Sequence, residues 1–115
     1  MKVLLLNGSG RANGCTYTAL REVADTLEAE GIGAELLQMG GKPVRDCIAC
    51  RRCRELGRCV FDDLANELIE KAKTADGFVF GSPVYYAHPT GQIQAVLDRA
   101  FYAGGHDEEA EDFFW

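Results

Sequence analysis

Four of the chain's five cysteines fall within thirteen positions, in the run Cys47-Ile48-Ala49-Cys50-Arg51-Arg52-Cys53 and its close at Cys59. Spacings of two residues let neighbouring thiolates turn toward one centre, the way short loops hold iron–sulfur clusters or zinc. A disulfide framework would spread its cysteines along the chain to staple distant segments, and this set is too concentrated for that. Three chemistries fit the spacing: an iron–sulfur cluster, a metal-free or redox thiol group, and a zinc site. Arg51, Arg52, Arg54 and Arg58 are interleaved with the cysteines as the one basic run. They either compensate an anionic thiolate–metal centre or solvate the loop.

Two other segments carry polar chemistry. The first is Asn7-Gly8-Ser9-Gly10-Arg11-Ala12-Asn13-Gly14-Cys15-Thr16. Its glycines permit tight backbone geometry, and Ser9, Asn13 and Thr16 offer side-chain donors. The exposed amides and positive dipole end of the helix that follows favour a phosphate. Arg11 would add charge-assisted hydrogen bonds. The loop lacks both the Gly-Lys-Ser/Thr of a Walker A motif and the third glycine of a dinucleotide fingerprint. A glycine-rich turn with an N-cap and no ligand is the plainer alternative. Cys15 reads as a small packing residue, because no histidine lies near it in sequence.

The second segment, Gly81-Ser82-Pro83-Val84-Tyr85-Tyr86-Ala87-His88-Pro89-Thr90-Gly91, opens on an extended stretch enforced by the Ser-Pro bond. Amides held extended can donate to a heterocycle, and Tyr85 or Tyr86 can stack on it. The alternative is a tyrosine-rich loop packed over a sheet end. His88 reads as solvated or bonded to backbone. With no convincing His/Asp or His/Glu constellation, no catalytic side chain is assigned.

Hydrophobic period identifies the elements that must position these segments. Val3 to Leu6 is wholly apolar and stops at Asn7-Gly8, the pattern of a strand buried on both faces of a parallel sheet. From Thr16 the period becomes helical, with Ala19, Leu20, Val23, Ala24 and Leu27 on one face until Gly31 and Gly33. A second strand follows over 34–39, then an irregular stretch over 40–61. Asp62 or Asp63 can cap a helix whose apolar face is Leu64, Ala65, Leu68, Ile69 and Ala72. Gly77 to Gly81 is a third strand, and Ile93, Val96, Leu97, Ala100 and Phe101 mark a last helix. Strands alternating with amphipathic helices predict an α/β fold with a parallel sheet and right-handed crossovers. Such sheets bind ligands at the carboxyl ends of their strands, where both polar loops emerge.

A chain of 115 residues supports one domain. Its net charge of −6 leaves no basic face for nonspecific nucleic-acid binding. Met1 to Leu6 is too short for a signal-peptide core, and no apolar run approaches the ~20 residues of a membrane span. Clustered thiols without an export signal predict a reducing cytoplasm.

The residues together resemble a known family, the flavodoxin-like, NAD(P)H-dependent FMN reductases and iron–sulfur flavoproteins. The likeness rests on Leu6-Asn7-Gly8-Ser9 with Asn13-Gly14-Cys15-Thr16, on Gly81-Ser82-Pro83-Val84-Tyr85-Tyr86, and on Ile93 to Phe101. The Cys-x2-Cys-x2-Cys-x5-Cys pattern points to the iron–sulfur flavoprotein branch. The resemblance implies that Ser9, Arg11, Asn13, Gly14, Cys15 and Thr16 hold the FMN phosphate and that Pro83, Val84, Tyr85 and Tyr86 line its ring. It implies that Cys47, Cys50, Cys53 and Cys59 bind a 4Fe-4S cluster in the members that keep one. NAD(P)H is then the co-substrate, with electrons leaving the flavin singly. A flavin-binding electron carrier without a nicotinamide site, and a cofactor-free fragment whose cysteines bind zinc or nothing, remain the competing readings.

The family fold has five parallel strands with helices on both faces, and this chain's pattern supplies three. The expected domain therefore covers 1–104 as a flavodoxin-like sheet truncated to three βα units, with the cysteine loop at 46–61 and an acidic, aromatic tail over 105–115. In that strand order the third strand would lie between the first and a missing fourth. Its open edge predicts a homo-oligomer paired through the third strand or the C-terminal segment.

Overall fold

The computed structural model describes residues 1–105, which divide into two compact units, Met1–Lys42 with Ala75–Ile93, and Pro43–Thr74 with the described residues from Gln94 on. Beyond Gly105 the acidic, aromatic tail lies outside the described residues.

The first unit is built on three parallel strands, β1 (Lys2–Asn7), β2 (Gly33–Gln38) and β3 (Gly77–Gly81), in the order β2-β1-β3. In the register, Leu5 of β1 lies opposite Leu36 of β2 and Val79 of β3. Leu5 joins Leu20 and Ala24 of helix α1 (Cys15–Ala29) in one buried cluster, with Val3, Ala34, Leu36 and Val79 packed around it. Leu4 and Leu6 alternate to the opposite face of the sheet and are equally buried. The central strand is thus covered on both sides, as its unbroken apolar run requires.

Helix α1 ends in two reciprocal bonds around left-handed Gly31 (φ 79°): Ile32 N–H donates to the Leu27 carbonyl and Gly31 N–H to that of Glu28. This closure meets orphan carbonyls and turns the chain into β2. The buried stripe of α1 is narrower than its sequence predicts. Leu20 and Ala24 are buried, and Thr16, Tyr17 and Leu27 partly so, but Ala19 and Val23 are exposed. Residues three and four apart along 17, 20, 24 and 27 meet the sheet, which leaves 19 and 23 on the flank.

In the second unit, helix α3 (Leu64–Ala72) is capped by Asp63, whose side chain accepts from Ala65 N–H at 3.1 Å. Asn66, only 3% exposed, donates to the Cys59 and Phe61 carbonyls and accepts from Cys59 N–H, fastening the preceding loop to α3. Within the stretch expected to be irregular, Cys53–Leu56 forms a one-turn helix, α2, stopped by left-handed Gly57. Helix α4 (Gly91–Gly104) buries Ala95, Val96, Ala100 and Ala103 in this unit. Phe101, expected on the apolar face, is 41% exposed, and Arg99 is buried instead.

Candidate cofactor sites

The loop after β1 is locked from beneath by residues the sequence reading left unassigned. Asn7 is fully buried at the end of its strand; its Nδ2 donates to Gln38 Oε1 at 2.6 Å and its Oδ1 accepts from Ser9 N–H at 3.0 Å. Gln38 Nε2 donates to the Ser9 carbonyl at 3.1 Å, and Ser9 Oγ accepts from Arg11 N–H at 3.1 Å. A single asparagine closing an apolar strand was the available signal. Beyond this turn Arg11, Asn13 and Cys15 are exposed, and Gly14 and Thr16 half-buried. Cys15 is therefore not a packing residue.

Helix α1 opens at Gly14 with no side-chain cap and no acidic residue in its first turn. Its first amides are left to water or to a ligand, at the positive end of a fifteen-residue helix. The Arg11 guanidinium makes no ion pair among the described residues. The arrangement can take an anion.

The loop after β3 is joined directly to this one. Gly8 N–H donates to the Gly81 carbonyl at 2.7 Å, and Thr90 Oγ donates to the Gly8 carbonyl at 2.7 Å. Thr90 N–H in turn donates to Ser82 Oγ at 2.9 Å. Glycine is required at both strand ends by contact distance. A Cβ on Gly8 would stand 2.7 Å from Ile93 Cδ1, and one on Gly81 would stand 2.8 Å from Leu20 Cδ1.

Past half-buried Pro83 the chain makes a two-residue hairpin, with Tyr85 and His88 exchanging both backbone bonds and Tyr86 and Ala87 at φ 50° and 66°. Left-handed geometry at two non-glycine residues carries a backbone cost. The turn projects Val84, Tyr85 and Tyr86 into solvent, Tyr86 completely. His88 is exposed, and its described bonds are those of its backbone.

In the second unit Cys47, Cys50, Cys53 and Cys59 line one cavity, together with Phe61 and Arg99. No disulfide joins them: Cys47 and Cys50 are exposed, Cys53 is buried and Cys59 half-buried. Among the described residues no group of three or more Cys, His, Asp or Glu side chains is arranged to hold a metal ion. The thiols surround a space instead of converging on a point. Four thiols form a soft donor set, suited to an iron–sulfur group or zinc and not to a hard cation. Left-handed Ala49 and Arg51 (φ 55° and 61°) bend the loop between the cysteines, and Cys47 Sγ accepts from Ala49 N–H. Burial pushes the Cys53 thiol above its ordinary value, and the charges of Cys50, Cys59 and Cys47 push the same way.

Arg99 is the residue that sequence reasoning missed here. It is 1% exposed and pairs with Asp63 through both terminal guanidinium nitrogens, at 2.7 and 2.8 Å. Burial works to lower its pKa, but the bonds to Asp63 and Cys59 outweigh this, and the net shift is upward. The signal was in its spacing, three residues after Val96 and four before Ala103 on the buried stripe.

Comparison with known proteins agrees with this chemistry. Residues 1–112 match the profile of the NADPH-dependent FMN reductase family. An iron–sulfur flavoprotein of Methanocaldococcus jannaschii is 37% identical over 100 residues, covering 87% of this chain and 52% of that protein. An iron–sulfur flavoprotein of Methanosarcina thermophila is 29% identical over 100 residues, with 87% and 52% covered. The chain spans about half the length of the curated relatives it matches. The crystal structure of RosB with bound 8-demethyl-8-formylriboflavin-5'-phosphate superposes with a TM-score of 0.59 at 24% identity, over 85% of this chain and 41% of that one. That likeness bears on the fold alone. The profile match over nearly the whole chain, together with the parallel sheet, shows that the protein belongs to the NADPH-dependent FMN reductase family.

Proposed function

We propose that the chain is the FMN-binding part of an NAD(P)H-dependent oxidoreductase that passes electrons through flavin, and through a 4Fe-4S cluster on Cys47, Cys50, Cys53 and Cys59, to an acceptor. The observation that carries the reading is the junction of the two loops at Gly8 and Gly81, beside a helix start with no side-chain cap. In this reading Ser9, Arg11, Asn13, Gly14, Cys15 and Thr16 hold the phosphate, through the first amides of α1 and the free guanidinium. Pro83, Val84, Tyr85 and Tyr86 orient the ring and shield it from water. Bound FMN supplies hydride acceptance and single-electron release, chemistry that belongs to the cofactor. The FMN reductase profile over residues 1–112 supports a ligand of this class. A reducing, cytoplasmic location fits the four clustered thiols, which are free along with Cys15.

Three measurements test this reading. The ultraviolet–visible spectrum of the anaerobically purified chain is expected to show flavin and, after reconstitution, cluster absorption. A colourless protein that takes up neither would sink the proposal. Flavin fluorescence titration is expected to show Arg11→Ala and Thr16→Ala each weakening FMN binding by about 1–3 kcal/mol, the loss of one charged or neutral contact. Unchanged affinity in both variants would move the phosphate elsewhere. NADPH oxidation by the flavin-loaded chain separates an enzyme from an electron carrier.

A further inference from the structure

Arginine carries five N–H donors in a planar fork, and in Arg99 all five have acceptors. Nε donates to Cys59 Sγ at 3.3 Å. Nη1 donates to the Arg45 carbonyl at 3.0 Å and to Asp63 Oδ2 at 2.7 Å. Nη2 donates to the Phe61 carbonyl at 2.8 Å and to Asp63 Oδ1 at 2.8 Å. Only two of the five bonds serve the ion pair. The other three reach one cysteine sulfur and two carbonyls that bracket the cysteine run, Arg45 two residues before Cys47 and Phe61 two residues after Cys59.

A buried guanidinium is costly unless paired and fully bonded, and an ion pair needs no burial to form. The arrangement gains its sense from what the fork holds. It ties both ends of the cysteine loop to α4 and points a cationic N–H at Cys59. Among the described residues Cys47 receives only a backbone N–H, at 3.4 Å. Lysine could supply the charge but not this geometry, because three donors on one nitrogen cannot span five acceptors.

We propose that Arg99 is a positioning residue for the cysteine centre: it sets the two ends of the loop and holds the Cys59 sulfur by a directed, charged hydrogen bond. The consequence for a cluster rests on the reading of the four cysteines as its ligands. An N–H donated to a ligating sulfur stabilises the more negative redox state and raises the midpoint potential, so Arg99 would hold that potential up.

Nitrogen-15 spectra of the full, metal-free chain test the positioning directly, with Arg99→Lys identifying the Arg99 Nε–H signal by its loss. That signal is expected to exchange slowly with solvent, to shift in Cys59→Ala and to shift less in Cys59→Ser, which keeps an acceptor. An Nε–H that exchanges as fast as that of exposed Arg21, or that Cys59→Ala leaves unmoved, would overturn the proposal. Cys59→Ala leaves the Arg99–Asp63 pair in place, and if Arg99→Lys folds poorly, through-bond correlation to the assigned Arg99 side chain identifies the Nε–H instead, so this arm stands. After anaerobic reconstitution, Arg99→Lys is expected to bind several-fold less iron and sulfide, or to bind them with a midpoint potential shifted negative. Wild-type content and potential in Arg99→Lys would refute the role toward the cluster. If the wild-type chain itself takes up no iron and sulfide, the cluster reading fails, and the Nε–H result still decides whether Arg99 positions Cys59.

Discussion

At the scale of single residues, contact distance separates a glycine the fold requires from one it does not. Gly81 and Gly10 make the point by contrast. A methyl group on Gly81 would press on Leu20 Cδ1 and Cγ at 2.8 and 2.9 Å and on Thr16 Cγ2 at 3.0 Å, whereas one on Gly10 meets nothing within 4 Å among the described residues. The Leu20 branch point cannot swing away without leaving the buried cluster around Leu5. Gly81→Ala is therefore expected to destabilise the chain by about 1–3 kcal/mol, the usual cost of overpacking, with Gly10→Ala close to neutral. Urea unfolding of the two variants checks this, and equal midpoints would show that α1 yields more readily than its packing implies. Because Thr16 also sits at the opening of α1, Gly81→Ala should weaken flavin binding as well.

At the scale of elements, Asp63 joins two structures that the sequence presents separately. Its Oδ1 accepts from Ala65 N–H as the cap of α3, and both of its oxygens accept from the buried Arg99 on α4. The two roles are separable by substitution. Asp63→Asn keeps a good cap but removes the counter-charge; Asp63→Ala removes both. Breaking a buried pair from one side typically costs about 3–5 kcal/mol because the remaining charge is left uncompensated, and a lost cap adds about 1 kcal/mol. Denaturant unfolding is expected to rank wild type above Asp63→Asn and Asp63→Asn above Asp63→Ala. If the two variants prove equally stable, the cap is contributing nothing. The exposed pair Arg21–Asp25, an i,i+4 contact on α1, should by comparison be worth only a few tenths of a kcal/mol.

At the scale of the whole molecule, the sheet order β2-β1-β3 leaves β3 paired with β1 alone among the described strands. A strand edge of Gly77-Phe78-Val79-Phe80-Gly81, with Phe80 41% exposed, is a template for another strand. Pairing of two chains along this edge is the expected outcome. Light scattering coupled to size-exclusion chromatography should then give the mass of two or more chains at micromolar concentration, and Phe80→Lys should shift it toward one. A compact monomer that unfolds cooperatively would refute the pairing. No helix among the described residues is long and apolar enough to cross a membrane.

Local pattern was enough to read the strand–helix alternation, the parallel sheet, the cysteine cluster and the two polar loops. Each of these depends on a period or spacing within a dozen or so residues, and backbone geometry enforces such periods wherever the chain goes. Even the family likeness rests on such local runs. What only the tertiary structure decided depends on partners far apart in sequence. The Thr90 bond to the Gly8 carbonyl spans 82 positions, and the Arg99–Asp63 pair spans 36. Burial of Arg99 and exposure of Val23 and Phe101 reverse the simple rule that apolar residues lie inside, because a helix buries whichever side its neighbours cover. A charge can occupy that side when five acceptors wait for it. No periodicity along one helix encodes the position of acceptors on another segment, and for that reason the residue that organises the cysteine centre was visible only in the folded chain.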